Sequence, residues 1–268
     1  MVLRPVIAAV ALALAGCGGA APQSAAVQFQ RTAEAAVAEG ERLAKVLGCI
    51  GCHQADLTGE DWSEPGFGRL WTSNLGRALP RYSDKELAQT IRRGARPNGA
   101  ALWEMPSHLF SQLSDEDMAV LIAFLRSKPP AGEPRPLPLF EEGARREMAA
   151  GSFRSSKAQV QTEGAQWPPD MGEGHALGRY IVRATCAECH GLDLRGGQPN
   201  PEAQVRPDLR MVASYEPGDF RGLLRTGVAA GNREVGMMSD VARGRYAHFT
   251  DGELEAVYRY LQAVGRAE

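Results

Sequence analysis

The 268-residue chain has no dominant charge: 30 Lys and Arg stand against 32 Asp and Glu, for a formal net charge of −2. That balance excludes the basic footprint of a nucleic-acid binder, and no nucleic-acid partner is expected. Long hydrophobic runs are missing too. The one N-terminal apolar stretch, residues 6–15, is ten residues long, about half of what a helix needs to cross a bilayer. Cysteine is scarce, with five in the whole chain, too few for a small disulfide scaffold. Strand signals are weak throughout, which leaves an all-α fold as the expectation. There is also no dinucleotide fingerprint after a strand, no phosphate loop and no nucleophile elbow. With 44% hydrophobic and 23% charged residues, the composition is that of packed globular protein.

What is present begins at the N-terminus. Arg4 precedes the apolar run, which ends in Leu14-Ala15 and leads into Gly16-Cys17, the layout of an export signal. Those last four residues resemble the bacterial lipobox, in which the cysteine is acylated through sulfur and becomes the first mature residue. Residues 1–16 are therefore expected to be a lipoprotein signal peptide, with Cys17 as the lipidation site. Residues 17–32, small and polar, follow as a tether. More than one acyl chain holds a protein at a membrane without a transmembrane helix. The expected location is the bacterial periplasm, lipid-anchored to a membrane.

Further along, five of the ten residues in 129–138 are proline, so neither a helix nor a central strand continues there. The halves on either side repeat each other. An offset of 137 carries Cys49, Cys52, His53, Asp56, Leu57 and Gly59 onto Cys186, Cys189, His190, Asp193, Leu194 and Gly196, which points to duplication. Ser114-Asp115-Glu116-Asp117 and Thr250-Asp251-Gly252-Glu253 each open an apolar-periodic helix. Leu121, Ile122 and Leu125 in one match Val257, Tyr258 and Leu261 in the other as core positions. A further capped helix starts at Ser83, with Leu87 and Ile91 on its apolar face. The stretch 129–173 is expected to be a Pro-rich connection, with a short polar helix near 141–150 and no usable periodicity over 151–166.

Cys49-Ile50-Gly51-Cys52-His53 and Cys186-Ala187-Glu188-Cys189-His190 share the spacing of a c-type haem attachment sequence. On one helical turn the two sulfurs lie near one face and reach two vinyl groups, while the adjacent imidazole turns to the iron. A redox dithiol has no need of the following His, and a four-Cys zinc site does not explain the downstream methionines. An electron carrier needs a second axial ligand in each half. Met105, followed by Pro106, is the candidate in the first. In the second, Met237 and Met238 compete. Arg93-Gly94 aligns with Thr226-Gly227, and Met105 and Met238 each lie eleven residues after their glycine, which favours Met238 over Met237. His108 and His248 are the alternatives that would give bis-His ligation.

With these motifs in view, the chain resembles the class I cytochrome c family in tandem, over residues 33–128 and 174–268 with 129–173 as linker. Both halves repeat the Cys-x-x-Cys-His motif, the downstream Met and the terminal capped helix. The resemblance implies two covalently bound haem c groups, held by Cys49, Cys52, His53 and Met105 and by Cys186, Cys189, His190 and Met238. It also implies a Pro carbonyl orienting the axial imidazole from a Pro-x-Leu segment. Pro207-Asp208-Leu209 fits, but the first half has Ser73-Asn74-Leu75, so the resemblance names no partner for His53. The layout is similar to cytochrome subunits of periplasmic dehydrogenases. A membrane-anchored electron carrier is expected rather than an enzyme with its own substrate, working between a dehydrogenase or other redox donor and the respiratory chain. Its acceptor would be a terminal oxidase or another cytochrome. The alternative is a dihaem peroxidase-like enzyme, which needs an iron with an open or displaceable ligand. A plausible methionine in both halves favours the carrier.

Overall fold

The computed structural model describes residues 27–198 and 203–267. The expected signal peptide, Cys17 and most of the expected tether lie outside the described residues. The first half runs α1 (Ala36–Val46), α2 (Cys49–His53), β1 (Gly68–Arg69), α3 (Leu75–Ala78), α4 (Asp84–Arg93), α5 (Ser107–Phe110) and α6 (Asp115–Ser127). Then come β2 (Leu139–Phe140), α7 (Glu142–Ala150) and α8 (Ser156–Glu163). The second half runs α9 (Ala176–Ala184), α10 (Ala187–His190), α11 (Pro217–Thr226), β3 (Val228–Ala229), β4 (Arg233–Glu234), α12 (Met237–Gly244) and α13 (Asp251–Arg266). The architecture is all-α; the described strands are two-residue pieces in two antiparallel pairs.

Each half is organised by one close helix crossing. In the first, α1 lies against α6 at Gly40, where a Cβ atom would sit 1.9 Å from the Val120 carbonyl oxygen. In the second, α9 meets α13 at Gly178, where a Cβ would sit 2.2 Å from the Ala256 oxygen. Only a residue without a side chain lets the backbones approach this closely. Leu43, Leu121, Ile122 and Leu125 bury around the first crossing, and Ile181, Val257 and Leu261 around the second. The helix starts follow the sequence signals. Ser83 and Thr250 form reciprocal capping boxes with Glu86 and Glu253, and Ser114 accepts from the Asp117 amide.

The connection is more structured than its sequence suggests. The short helix falls at Glu142–Ala150, and a second, α8, covers Ser156–Glu163 where no periodicity was visible. Helix α8 is fixed at its N-terminal end, not by an apolar stripe: the Ser155 side chain accepts from the Ala158 amide, and the Ser156 amide donates to the Leu102 oxygen at 2.9 Å. Strand β2 pairs with β1, Gly68 opposite Phe140. Beside that pair, Phe67, Trp103, Phe140 and Phe153 form an aromatic cluster with centroid separations of 4.6–5.9 Å. The connection is thus stitched to the first half.

Buried polar groups tie the halves together. Tyr180 of α9 donates to Asp117 Oδ2 at 2.7 Å and accepts from the Ser114 amide at 2.9 Å. Arg183, 1% exposed, donates to the carbonyls of His108, Leu109 and Gly164. Arg42 bridges Glu39 and Glu253 at 2.7 and 2.8 Å. Apolar residues of both halves form one continuous core around these bonds.

Candidate functional site

The two Cys-x-x-Cys-His motifs form equivalent turns directly after the first helix of each half. His53 closes α2 and His190 closes α10. The backbone then folds back identically: the Gly59 amide donates to the His53 oxygen at 3.0 Å and the Gly196 amide to the His190 oxygen at 2.9 Å. Leu57 and Leu194, both fully buried with positive φ, accept from the amides of Leu75 and Leu209 at 2.8 and 2.9 Å. These bonds bring a returning segment across each imidazole.

His190 Nδ1 lies 2.8 Å from the Pro207 carbonyl oxygen and His53 Nδ1 lies 2.8 Å from the Ser73 carbonyl oxygen. A carbonyl only accepts, so Nδ1 carries the proton and Nε2 keeps its lone pair. The first half therefore reproduces the orienting bond without a proline, because the acceptor is a main-chain atom. Burial lowers the pKa of both imidazoles, which keeps them neutral and suited to a metal. Burial also pushes the thiols up, that of Cys49 to about 12. All four motif cysteines are free thiols. Among the described residues no group of three or more His, Cys, Asp or Glu could hold a bare metal ion, so the thiols do not converge as a zinc site.

A cavity of about 270 Å³ opens beside the first motif and is lined by Cys49, Cys52, His53 and Met105 together with Ile91, Phe110, Leu121 and Leu125. Met105 sits in a stiff bend: Glu104 before it has φ +60, Pro106 follows, and the Ser107 amide donates to the Met105 oxygen at 2.7 Å. Thiol pair, imidazole and thioether facing one apolar cavity fit a covalently attached haem with two axial ligands. His108 and His248 do not line the cavity. His108 Nε2 faces Glu163 at 3.8 Å, and the His248 carbonyl accepts from Arg42.

In the second half Met237 is 60% exposed, whereas Met238 is half-buried against the core. Gly94 and Gly227, the landmarks that relate Met105 to Met238, are left-handed C-caps of equivalent helices α4 and α11. Met118 is buried in the core and Met211 is 46% exposed, as packing and surface residues.

Sequence reasoning missed three contributors. Pro134, Pro136, Leu137 and Pro138, read as plain linker, line the first cavity. Asn74, 3% exposed, holds that segment in place by donating to the Ala131 and Glu133 carbonyls at 2.8 and 2.9 Å. Glu188, between the cysteines of the second motif, lines the cavity of the first. A polar residue in the Pro-x-Leu position was the one available hint of Asn74's role; nothing local marked Glu188.

The family model for cytochrome c matches residues 37–129 and again 175–265. Among curated proteins, the chain is 24% identical to the cytochrome c subunit of a quinone alcohol dehydrogenase from Gluconobacter oxydans (strain 621H), over 89% of this chain and 57% of that one. It is 26% identical to a gluconate 2-dehydrogenase cytochrome c subunit from Pantoea cypripedii, over 90% and 62% of the two chains. A fructose dehydrogenase cytochrome subunit from Gluconobacter japonicus shares 23% identity over 85% and 52%. The chain thus spans little more than half the length of these relatives.

Proposed function

Because the chain belongs to the cytochrome c family, matched twice and over more than half its length, we propose that it is a dihaem electron-transfer subunit working with a periplasmic dehydrogenase. Haem c in each domain, residues 33–128 and 174–268, supplies one-electron chemistry at iron. Cys49 and Cys52 would hold the first group through their sulfurs, and His53 and Met105 would bind its iron. Cys186, Cys189, His190 and Met238 would do the same in the second. The Ser73 and Pro207 carbonyls fix the imidazole tautomer and ring orientation. Apolar side chains around Met105 exclude water, and Met105 and Met238 bound to iron would leave peroxide no place to bind.

The observation that carries this reading is the placement of Met105 and His53 on one apolar cavity, with His53 Nδ1 committed to a carbonyl. The relatives' names support a dehydrogenase as electron donor. Electrons then pass to the respiratory chain, through a terminal oxidase or another cytochrome. Acylation at Cys17 anchors the subunit to a membrane in the bacterial periplasm. Haem quantified on denatured exported protein tests the proposal. Two haems per chain, retained in acidic organic solvent, are expected; a single haem, or haem released by the solvent, overturns it. Cys17→Ser is expected to move the protein from the membrane fraction to the soluble periplasm, and unchanged membrane association removes the anchor assignment.

A further inference from the structure

The two attachment turns meet at a charged pair that the second half supplies and seats against the backbone of the first. Cys49 lies nine positions after the crossing glycine Gly40, whereas Cys186 lies eight after Gly178. The extra residue is accommodated at Gly48, which has φ +80. A Cβ there would lie 2.8 Å from Arg245 Cζ, so the glycine leaves room for a guanidinium supplied by the second half. Arg245 Nε donates to the Val46 carbonyl at 3.2 Å and Nη1 pairs with Glu188 Oε2 at 2.6 Å. Glu188 lies inside the second motif and lines the first cavity. Its partner is largely enclosed, with 16% of the Arg245 side chain exposed. Arg245 Nη2 is buried without a hydrogen-bond partner, a costly arrangement for a contact that served packing alone.

We propose that Arg245 and Glu188 are positioning residues that bridge the two haem-attachment turns and set the reduction potentials of the haem sites beside them. The proposal rests on the dihaem reading above. A fixed positive charge near a haem favours the ferrous state, which carries one positive charge fewer, and so raises the potential; a fixed negative charge lowers it. Arg245 is placed to act at both turns: its guanidinium packs on Gly48, directly before Cys49, and pairs with Glu188, which lies between Cys186 and Cys189. With both haems bound, an electron passing between them would oxidise one by one equivalent and reduce the other by one, with no bond or proton changed. The balance of the two charges therefore biases the direction of exchange.

Spectroelectrochemical titration of the full chain, after wild-type haem content is measured, separates this from a docking role. Arg245→Gln leaves Glu188 uncompensated and is expected to shift at least one of the two potentials downward. Glu188→Gln leaves Arg245 uncompensated and is expected to shift the same potential upward. The double variant should lie between the single variants, and Arg245→Lys should stay closer to wild type than Arg245→Gln. Shifts of the same sign in both single variants, or none in either, overturn the proposal. Should Arg245→Gln fail to accumulate, Glu188→Gln decides alone, because its carboxylate is partly exposed: absence of an upward shift overturns the proposal. A wild-type chain with fewer than two haems removes the underlying reading instead.

Discussion

The His53 imidazole is oriented by a main-chain atom, the Ser73 carbonyl 2.8 Å from Nδ1, so the side chain at position 73 is free to vary. Ser73→Ala is expected to leave haem attachment and the visible spectrum unchanged; a high-spin shift in that variant would mean that the hydroxyl takes part. Asn74 beside it is different. Its side chain satisfies two carbonyls of the Pro-rich segment and accepts from the Arg77 amide at 3.1 Å. Asn74→Ala should cost about 1–3 kcal/mol, the range for orphaning buried polar groups, and should make residues 134–138 more susceptible to limited proteolysis. The attachment motifs were legible because their chemistry demands fixed residue types at fixed spacing. The partner of His53 was not, because a carbonyl is carried by every residue and only the folded return of the chain selects Ser73.

At the scale of elements, capped starts and apolar stripes gave α4, α6 and α13 their places, since hydroxyl, carboxylate and periodicity all lie within a few residues. Helix α8 escaped notice because its stability comes from Ser155 at one end and a bond to Leu102 far back in the chain. The short β1–β2 pairing escaped for the same reason: Gly68 and Phe140 are distant in sequence and each strand has two residues. The glycines at the helix crossings carry a direct test. Gly40→Ala and Gly178→Ala place a Cβ 1.9 and 2.2 Å from a carbonyl oxygen. Each should destabilise the protein by about 1–3 kcal/mol, the range for overpacking. Gly174→Ala, where a Cβ meets nothing within 4 Å, should not. Denaturant unfolding of the three variants distinguishes them, and equal stability across the set would contradict the close crossings.

The whole molecule is held as one body by charges that a sequence reader assigns to the surface. Arg183 lies on a helix that looks amphipathic by itself, yet its guanidinium reaches carbonyls of His108 and Leu109 in the other half and of Gly164 in the connection. Such partners are invisible to local patterning because they lie far along the chain. Arg183→Met should cost about 1–3 kcal/mol through the orphaned carbonyls. It should also separate a single cooperative calorimetric transition into two, as the halves lose their coupling; one transition at the wild-type temperature would show that the apolar core alone joins them. Joined in this way, the halves bring the two attachment turns to a common border, the arrangement an electron relay within one chain requires.

The central claim, that both halves hold haem iron between histidine and methionine, is tested most directly by the far-red sulfur-to-iron charge-transfer band of the oxidised protein. The account predicts an intensity appropriate to two Met-ligated haems, with Met105→Ala and Met238→Ala each removing about half of it and Met237→Ala leaving it nearly intact. Loss of the band in Met237→Ala but not in Met238→Ala would move the second ligand by one residue. A wild-type protein with one high-spin iron and rapid peroxide turnover would contradict the account itself.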